Sequence, residues 1–323
     1  MQVTNQEKGV VLISVLLTIL LLSSVAVVIG NNYLISLKRA AYLEFQSISL
    51  ESFKNIESLA LKKINIELKF NPTKLARNNQ LLNNDLYFEE DMGRVVAKIL
   101  DNSNCFNINS LVVRKNKNFI ENKKSVESFR KLMRLNSIDN NVIEEMIDQV
   151  IDWIDFDSDP RAYGLEDYFY TGPLNNPKEY SGQRLFFSIN ELKGLPSFRK
   201  VNWKTINDNF CSTNNTDLAI NINTLNLNNS FLLSSFFPNL SVSEAEYIID
   251  NIPNEGVDNL NDLRLMHPSK DINLPYGSVE FTSSSFDLIT KIYHDNFYAS
   301  STSKIVYGDN KNSYIISRTY NGI

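Results

Sequence analysis

An apolar run near the start of the chain constrains the architecture more than any other feature. The run VVLISVLLTILLLSSVAVVI, residues 10–29, contains no charged residue. About 20 apolar residues in a helix span the hydrocarbon core of a bilayer, so the chain is predicted to enter a membrane. Secretory signal peptides have a shorter apolar core followed by small residues at a cleavage site, and Gly30-Asn31-Asn32 does not match that pattern. An uncleaved signal anchor is one interpretation of the run.

The helical pattern continues beyond the membrane. From residue 31 to 70 the sequence has no Pro or Gly and keeps apolar residues at helical spacing. One long helix over 10–70, half in lipid and half outside, is therefore predicted. Strand patterning appears at 94–101 and again in SFDLITKIYH, SKIVYGD and SYIISRTY near the C-terminus. These distant strands are predicted to form one antiparallel sheet on the helix, with a mostly helical domain inserted between them.

An acidic motif, DWIDFDSDPRAYGLEDYFY, follows a predicted helix that Asp139 caps. Its carboxylates fit positions 1, 3, 5 and 12 of a calcium loop, but Pro160 stands at position 6, where an EF-hand needs glycine. The motif thus predicts an irregular calcium loop. Two alternatives stay open, a solvated acidic loop neutralised by Arg161 and a metal-dependent hydrolase that uses the acidic cluster at 152–167. The four carboxylates of the loop count are Asp155, Asp157, Asp159 and Glu166.

Composition and charge argue against nucleic acid as a partner. The net charge is -5, and the segment 218–268, which resembles a SAM or helix-hairpin-helix unit, has many acidic residues and few basic ones. We place its hairpin at Pro238-Asn239-Leu240, which lacks the glycines that bring backbone amides to a phosphate. The segment is interpreted as a protein-interaction or spacer module. With only two histidines in the chain, a triad or a multi-histidine zinc site is also disfavoured.

Several motifs in order resemble one family. Gly9 stands directly before the apolar run, and the fifth residue counted from Val10 is Ser14. The acidic motif, FSINEL at 187–192 and ININTL at 220–225 follow. Together they resemble the K-type minor pseudopilins of bacterial type II secretion systems. The resemblance implies an α+β, pilin-like fold: a long N-terminal spine helix on an antiparallel sheet, with a large helical domain, including the SAM-like unit, inserted between strands.

The resemblance also implies a domain plan and a processing event. Residues 1–9 would be a leader that prepilin peptidase removes after Gly9, leaving Val10 first and N-methylated. Ser14 stands where most pilins have a glutamate that pairs with a neighbouring subunit's amine. An uncompensated buried carboxylate is costly, so its loss suits a subunit at the filament tip. The implied units are the spine helix at 10–70, a pilin-like α/β domain at 71–106 plus 276–323, and the inserted domain at 107–275.

The implied function is mechanical rather than enzymatic: capping the pseudopilus tip, initiating its assembly and limiting its length. The implied partners are the I-type and J-type minor pseudopilins, other pseudopilins, prepilin peptidase, the inner-membrane assembly platform and secreted substrate proteins. The body would lie in the periplasm of a Gram-negative bacterium, anchored in the inner membrane. There the calcium ligands would be Asp155, Asp157, Glu166 and Asp167, with Asp152 and Asp159 as substitutes.

The two cysteines, Cys105 and Cys211, take their meaning from that compartment. Cysteines usually pair in the periplasm, and this bond would pin the inserted domain to its base. The alternative is two buried free thiols.

Overall fold

A single long helix organises the molecule. The computed structural model describes residues 5–90, 93–174, 178, 180–267, 274–308 and 310–322, so residues 1–4 of the predicted leader lie outside the described residues. Helix α1 spans Asn5–Phe70. Within the part of the chain described, it is the one helix long and apolar enough to cross a membrane. Residues 10–44 are all exposed, and near the end of this stretch the ring of Tyr42 lies 5.8 Å from that of Phe297 on the sheet.

The second half of α1 packs on a five-stranded antiparallel sheet, which confirms the predicted fold class. The strand order is β1-β2-β9-β10-β11, and the chain leaves the sheet between β2 and β9. Strand β1 was missing from the sequence prediction, because its five residues are too short to show a clear alternation. The sheet strands are β1 (Leu86–Glu90), β2 (Gly93–Asp101), β9 (Ser285–His294), β10 (Phe297–Tyr307) and β11 (Ser313–Asn321), and a short helix α2 (Gln80–Asn83) precedes them.

Contacts between α1 and the sheet show which end of the sheet is far from the membrane. Phe45 and Phe53, nearer the apolar run, pack with Ile292 and Ala299. Further along α1, residues such as Leu68 pack with Phe286, Leu288 and their neighbours at the other end of the sheet. The inserted domain leaves after Asp101 and returns at Ser285, which both lie at that second end. The inserted domain therefore starts from the membrane-distal end of the sheet.

A buried carboxylate ties the helix to the sheet. Glu57 on α1 is only 3% exposed. Arg318 Nε on β11 donates to both of its oxygens, at 2.9 and 3.0 Å, and Ser303 Oγ on β10 donates at 2.6 Å. Because the charge is both paired and hydrogen-bonded, its burial is compensated.

The inserted domain contains short helices, 3₁₀ turns and small strand pairs around one core. Its two parallel strand pairs, β3 with β6 and β7 with β8, close two successive loops of chain. The second pair ends at Glu280, beyond the predicted boundary at 275. The elements are β3 (Phe106–Asn107), β4 (Val112–Lys115), β5 (Asn118–Glu121), α3 (Lys123–Leu135), α4 (Asn140–Ile154), α5 (Asp167–Tyr170), α6 (Trp203–Asn209), β6 (Phe210–Cys211), β7 (Ala219–Asn221), α7 (Ser230–Phe236), α8 (Val242–Asn251), α9 (Leu260–Met266) and β8 (Ser278–Glu280).

Two asparagine turns of like geometry begin the two loops. Each has the pattern Asn-Ile-Asn-Ser/Thr-Leu, at 107–111 and 221–225. In both, the first Asn side chain accepts from the backbone N–H of the second Asn, and the hydroxyl donates to the first Asn carbonyl. The side chain of the second Asn then bonds to backbone groups that are distant in the sequence. Asn109 bonds to the N–H and C=O of Phe186 and to the C=O of Thr213. Asn223 bonds in the same way to the N–H and C=O of Val257 and to the C=O of Phe281. These buried amides satisfy backbone groups that loops would leave unpaired.

The segment after α1, residues 71–78, which we call the neck, fixes the inserted domain in place. Arg77 Nη2 donates to the carbonyl of Ile249 at 2.6 Å, and Lys74 Nζ lies 2.9 Å from Asp258. The second hairpin of the SAM-like unit lies here, at the turn between α8 and α9, where Gly256 has a positive φ of 75°. The sequence pattern predicted a hairpin only at 238–240, between α7 and α8, and did not predict this turn. The basic side chains of the neck, Lys74 and Arg77, contact this turn and the end of α8.

Candidate functional site

Helix α4 brings three carboxylates to one side of the acidic loop. Asp139 caps the helix, as predicted, by accepting from the N–H of Asn141 at 2.8 Å. The helix ends at Ile154, and the N–H of the next residue, Asp155, still donates to the carbonyl of Ile151. Asp148, Asp152 and Asp155 are spaced by four and three residues, so they share a face. The apolar face of the same helix is buried in the domain core, which fixes where the acidic face points.

Three of the predicted ligands converge. One carboxylate oxygen from each of Asp155, Asp157 and Glu166 lies within 4.8 Å of the others, and we call these residues the acidic group. Asp155 is 8% exposed and Glu166 only 2%, whereas Asp157 is exposed. Asp155 Oδ1 and Glu166 Oε1 are buried and make no hydrogen bond. The Oδ1 atom of the neighbouring Asp152 is likewise buried without a hydrogen bond. Buried carboxylate oxygens without partners are costly, so this geometry favours a cation.

Arg161 holds the loop against α4. Its Nε donates to Asp148 at 2.7 Å, its Nη2 to Glu121 on β5 at 2.5 Å, and its backbone N–H to Asp152 Oδ2 at 3.1 Å. The guanidinium therefore pairs directly with Asp148 and Glu121 rather than with the acidic group. Sequence reasoning named Arg161 but missed Glu121, which lies far from the motif and carries no local signal.

The electrostatics of the site penalise ionisation. Burial raises the pKa of Asp155 to about 7, and the neighbouring charges of Asp157 and Asp152 add to the effect. Burial likewise raises the pKa of Glu166 to about 7, and the like charges of Asp152 and Asp155 add to the effect. Burial raises the pKa of Asp152 to about 6, although the N–H of Arg161 opposes the shift. A divalent cation at this point would reverse these shifts, because it favours the charged carboxylates.

The remaining predicted ligands lie elsewhere. Asp167 is not part of the acidic group; its Oδ1 accepts from the N–H and the hydroxyl of Ser181, at 2.8 and 2.9 Å. It begins α5, so it anchors the return segment of the loop. Asp159 is exposed and outside the group, and its N–H donates to Asp157 at 3.0 Å. Asp152, which had been a substitute, is the carboxylate that lies beside the group.

Gly164 allows the backbone of the loop to pack closely against Asp152. A Cβ at Gly164 would lie 1.7 Å from Asp152 Oδ2, so any side chain there would displace that carboxylate or the loop. The motif's glycine is thus explained by close packing of backbone against Asp152.

The residues fit a hard cation such as calcium better than catalysis. Calcium takes six to eight oxygen ligands, and the acidic group with Asp152 would supply the carboxylates while loop carbonyls and water supply the rest. Among the described residues the group contains no histidine or cysteine. A general acid or base beyond the carboxylates is not part of it.

The other predicted positions are found as follows. Cys105 and Cys211 form a disulfide, with Cα atoms 5.6 Å apart, beside the β3–β6 pair at the base of the inserted domain. Ser14 lies in the exposed half of α1, where its hydroxyl donates to the carbonyl of Val11 at 2.9 Å. Gly9 and Val10 lie within α1, and Val10 is exposed.

Comparison with known proteins places these features in a family. The family model for type II secretion system (T2SS) protein K matches residues 104–211, which include the acidic motif and both cysteines. The putative type II secretion system protein K of Escherichia coli K12 is 24% identical over 78% of this chain and 77% of its own length. The type II secretion system protein K of Pectobacterium carotovorum is 26% identical over 78% and 77%. This chain belongs to the type II secretion system protein K family.

The fold agrees with that assignment. A chain in the crystal structure of the GspK-GspI-GspJ complex from enterotoxigenic Escherichia coli superposes with a TM-score of 0.75 at 18% identity, covering 88% of this chain and 99% of that one. The predicted family and fold class are confirmed, and so is the function as a minor pseudopilin of the type II secretion system. The metal-dependent hydrolase alternative is not favoured. The family is a structural component of the secretion apparatus.

Proposed function

We propose that this minor pseudopilin caps the tip of the pseudopilus, initiates its assembly and limits its length, without catalytic activity. The observation that carries the proposal is the place of the inserted domain. It starts from the membrane-distal end of the sheet, and the disulfide, the neck and the Asp101 contacts with Ser283 and Thr224 hold it there. A bulky domain fixed above the spine would block a further subunit from stacking there.

Ser14 supports a tip position. A glutamate at this point would put a carboxylate in the apolar filament core, where it needs a neighbour's amine. The Ser14 hydroxyl is satisfied within its own helix, so the subunit can enter the filament without such a partner.

Two apolar stripes on α1 support I-type and J-type minor pseudopilins as neighbours. Outside the membrane portion, Leu43 and Leu50 are exposed and lie seven residues apart on one side of the helix. Leu59 and Ile66 form a second exposed pair with the same spacing. At 100° per residue the two pairs lie on different sides of the face that packs on the sheet. Each stripe could receive one neighbouring spine helix.

The acidic group and Asp152 would bind calcium as a structural ion. Its role there would be to offset the repulsion between buried carboxylates and to hold the loop from 155 to 166 against α4. The apolar part of α1 would anchor the chain in the inner membrane, with the body in the periplasm. Prepilin peptidase would release the leader after Gly9. Contacts with the assembly platform and with secreted proteins stay predictions of the resemblance.

Pseudopilus length and labelling test the tip proposal. Cells lacking the chain should form fewer and longer pseudopili, and the wild-type chain should restore number and length. Gold-labelled antibody against the inserted domain should mark one end of each filament. We expect Ser14→Glu to reduce incorporation and Ser14→Ala to behave as wild type. Label distributed along the filaments, or normal length control by a chain without the inserted domain, would contradict the proposal.

A further inference from the structure

The β4–β5 hairpin and the start of α3 carry a dense positive charge in an otherwise acidic chain. We call residues 112–124 the basic hairpin. All five of its cationic side chains are exposed, while the chain as a whole has a net charge of -5. The cations are Arg114, Lys115, Lys117, Lys123 and Lys124.

The nearby acids are already engaged. Glu121 pairs with Arg161 at 2.5 Å, and Glu127 pairs with Arg130 at 2.7 Å. Within the described parts of the chain, none of the five cations has an ion-pair partner closer than 4.0 Å. This contrasts with Lys200, which pairs with Glu145. Among the residues that the structure describes, the cations of the basic hairpin are therefore free of direct ion pairs.

The hairpin presents an amphipathic face to solvent. Val113 and Ile120 are direct cross-strand partners, and they are 40% and 42% exposed. Lys115 lies on the same face, since side chains two positions apart along a strand share a face. Phe119 points the other way and packs on Phe156 of the acidic loop, with ring centroids 5.5 Å apart. The free face thus carries this aliphatic pair beside Lys115 and is turned away from the acidic loop, whereas Arg114, the cross-strand partner of Phe119, lies on the opposite face.

The composition of the basic hairpin favours a phosphate surface over a protein. Protein interfaces are depleted in lysine and enriched in arginine and aromatic side chains, whereas four of these five cations are lysines. Clustered lysines are attracted to anionic lipid headgroups, and a small aliphatic pair can enter the headgroup boundary while lysine stems extend beside it. The ligand that fits is an anionic phospholipid bilayer.

The membrane crossed by the spine is too distant to be that bilayer. From Lys38, which follows the apolar run, to the end of α1 at Phe70 the helix rises about 48 Å. The inserted domain starts from the membrane-distal end of the sheet, and electrostatic attraction is screened within about 8 Å at physiological salt. We propose that the basic hairpin docks on the anionic phospholipid headgroups of a second membrane, one that faces the inserted domain.

A vesicle-bridging assay with the full-length chain tests this. The spine is reconstituted in phosphatidylcholine vesicles, and dye-labelled vesicles with about 30% phosphatidylglycerol are added in a chelator. We expect the labelled vesicles to co-float with the protein, and the effect to weaken as salt rises. Labelled vesicles of phosphatidylcholine alone should not bind. The triple variant Arg114→Gln/Lys115→Gln/Lys117→Gln should lower binding by about 100-fold, the effect of three charges at an anionic surface.

A matched variant controls for net charge. Lys62→Gln/Lys63→Gln/Lys69→Gln removes the same charge from exposed lysines of α1 and should leave bridging unchanged. Equal losses in the two triple variants would overturn the proposal, as would no binding of phosphatidylglycerol vesicles by the wild-type chain. Binding of a poly-glutamate peptide to the hairpin without binding of these vesicles would assign the face to an acidic protein and also overturn it. Circular dichroism would confirm that both variants are folded.

Discussion

Removal of the Cys105–Cys211 disulfide should destabilise the inserted domain strongly. The bond lies beside the β3–β6 pair, which joins only two residues on each strand. It connects positions separated by 106 residues, so the reduced unfolded chain gains much conformational freedom. The chain-entropy model gives about 4.7 kcal/mol for a loop of this length. We expect the variant Cys105→Ser/Cys211→Ser to lose about 4 to 5 kcal/mol, or roughly 10–20 °C in melting temperature.

Tryptophan fluorescence can follow this loss in the inserted domain alone. The chain has two tryptophans, Trp153 and Trp203, and both lie in that domain. Urea unfolding of the detergent-solubilised chain, followed by this fluorescence, would give the free energy of unfolding for the double serine variant and for the reduced wild type. The two should agree. Ser103→Ala, next to Cys105, serves as the control and should change the free energy little.

Two results would refute the reasoning. One is a double serine variant within about 1 kcal/mol of the oxidised wild type, since the loop-closure term would then be missing. The other is quantitative labelling of both cysteines by a thiol reagent in the chain isolated from its native membrane. That labelling would favour the alternative of two free thiols.

Three further outcomes are expected. Calcium should raise the melting temperature, and Glu166→Gln should abolish most of that response, as calorimetry with calcium and with chelator would show. Without metal, the pKa values of Asp155 and Glu166 are raised to about 7, so their contribution to stability is fully present below about pH 4 and is lost as pH rises through 7. Measuring the free energy of unfolding in chelator at pH 5 and at pH 8 checks the sign. A chain that is more stable at pH 8 would contradict this prediction. Glu57→Gln should cost about 1 to 2 kcal/mol, because hydrogen bonds to a charged carboxylate become hydrogen bonds to a neutral amide, while Arg318, whose side chain is 43% exposed, can still be hydrated; thermal melting would detect the loss.

The sequence predicted the parts of the fold that depend on long patterns. The helix over 10–70 and the long strands at the C-terminus have enough periodic residues to be recognised, and Asp139 marked the start of α4. Strand β1 and the two-residue strands β3 and β6 were not predictable, because their partners are set by tertiary contacts. The turn at Gly256 was missed because an earlier turn, at 238–240, also separates two apolar segments.

The candidate site was predictable where its residues lie close together in the sequence. Asp155, Asp157 and Glu166 converge because a helix end and one loop bring them together, which the spacing of the motif indicated. Asp167 differs because α5 begins there, and the helical backbone turns its side chain toward Ser181. Spacing alone does not show this rotation. The role of Glu121 depends on the position of β5, which no local pattern encodes.

The two asparagine turns provide an internal experiment. Asn109 and Asn223 make the same kinds of hydrogen bond in two different surroundings within one molecule. Substituting either by aspartate would keep the acceptor and remove the donor at a known point. Comparing the two would therefore separate what the amide itself contributes from what its neighbours contribute, without recourse to a second protein. If the two losses match, the turn acts as a transferable unit that similar chains could carry at other loop closures.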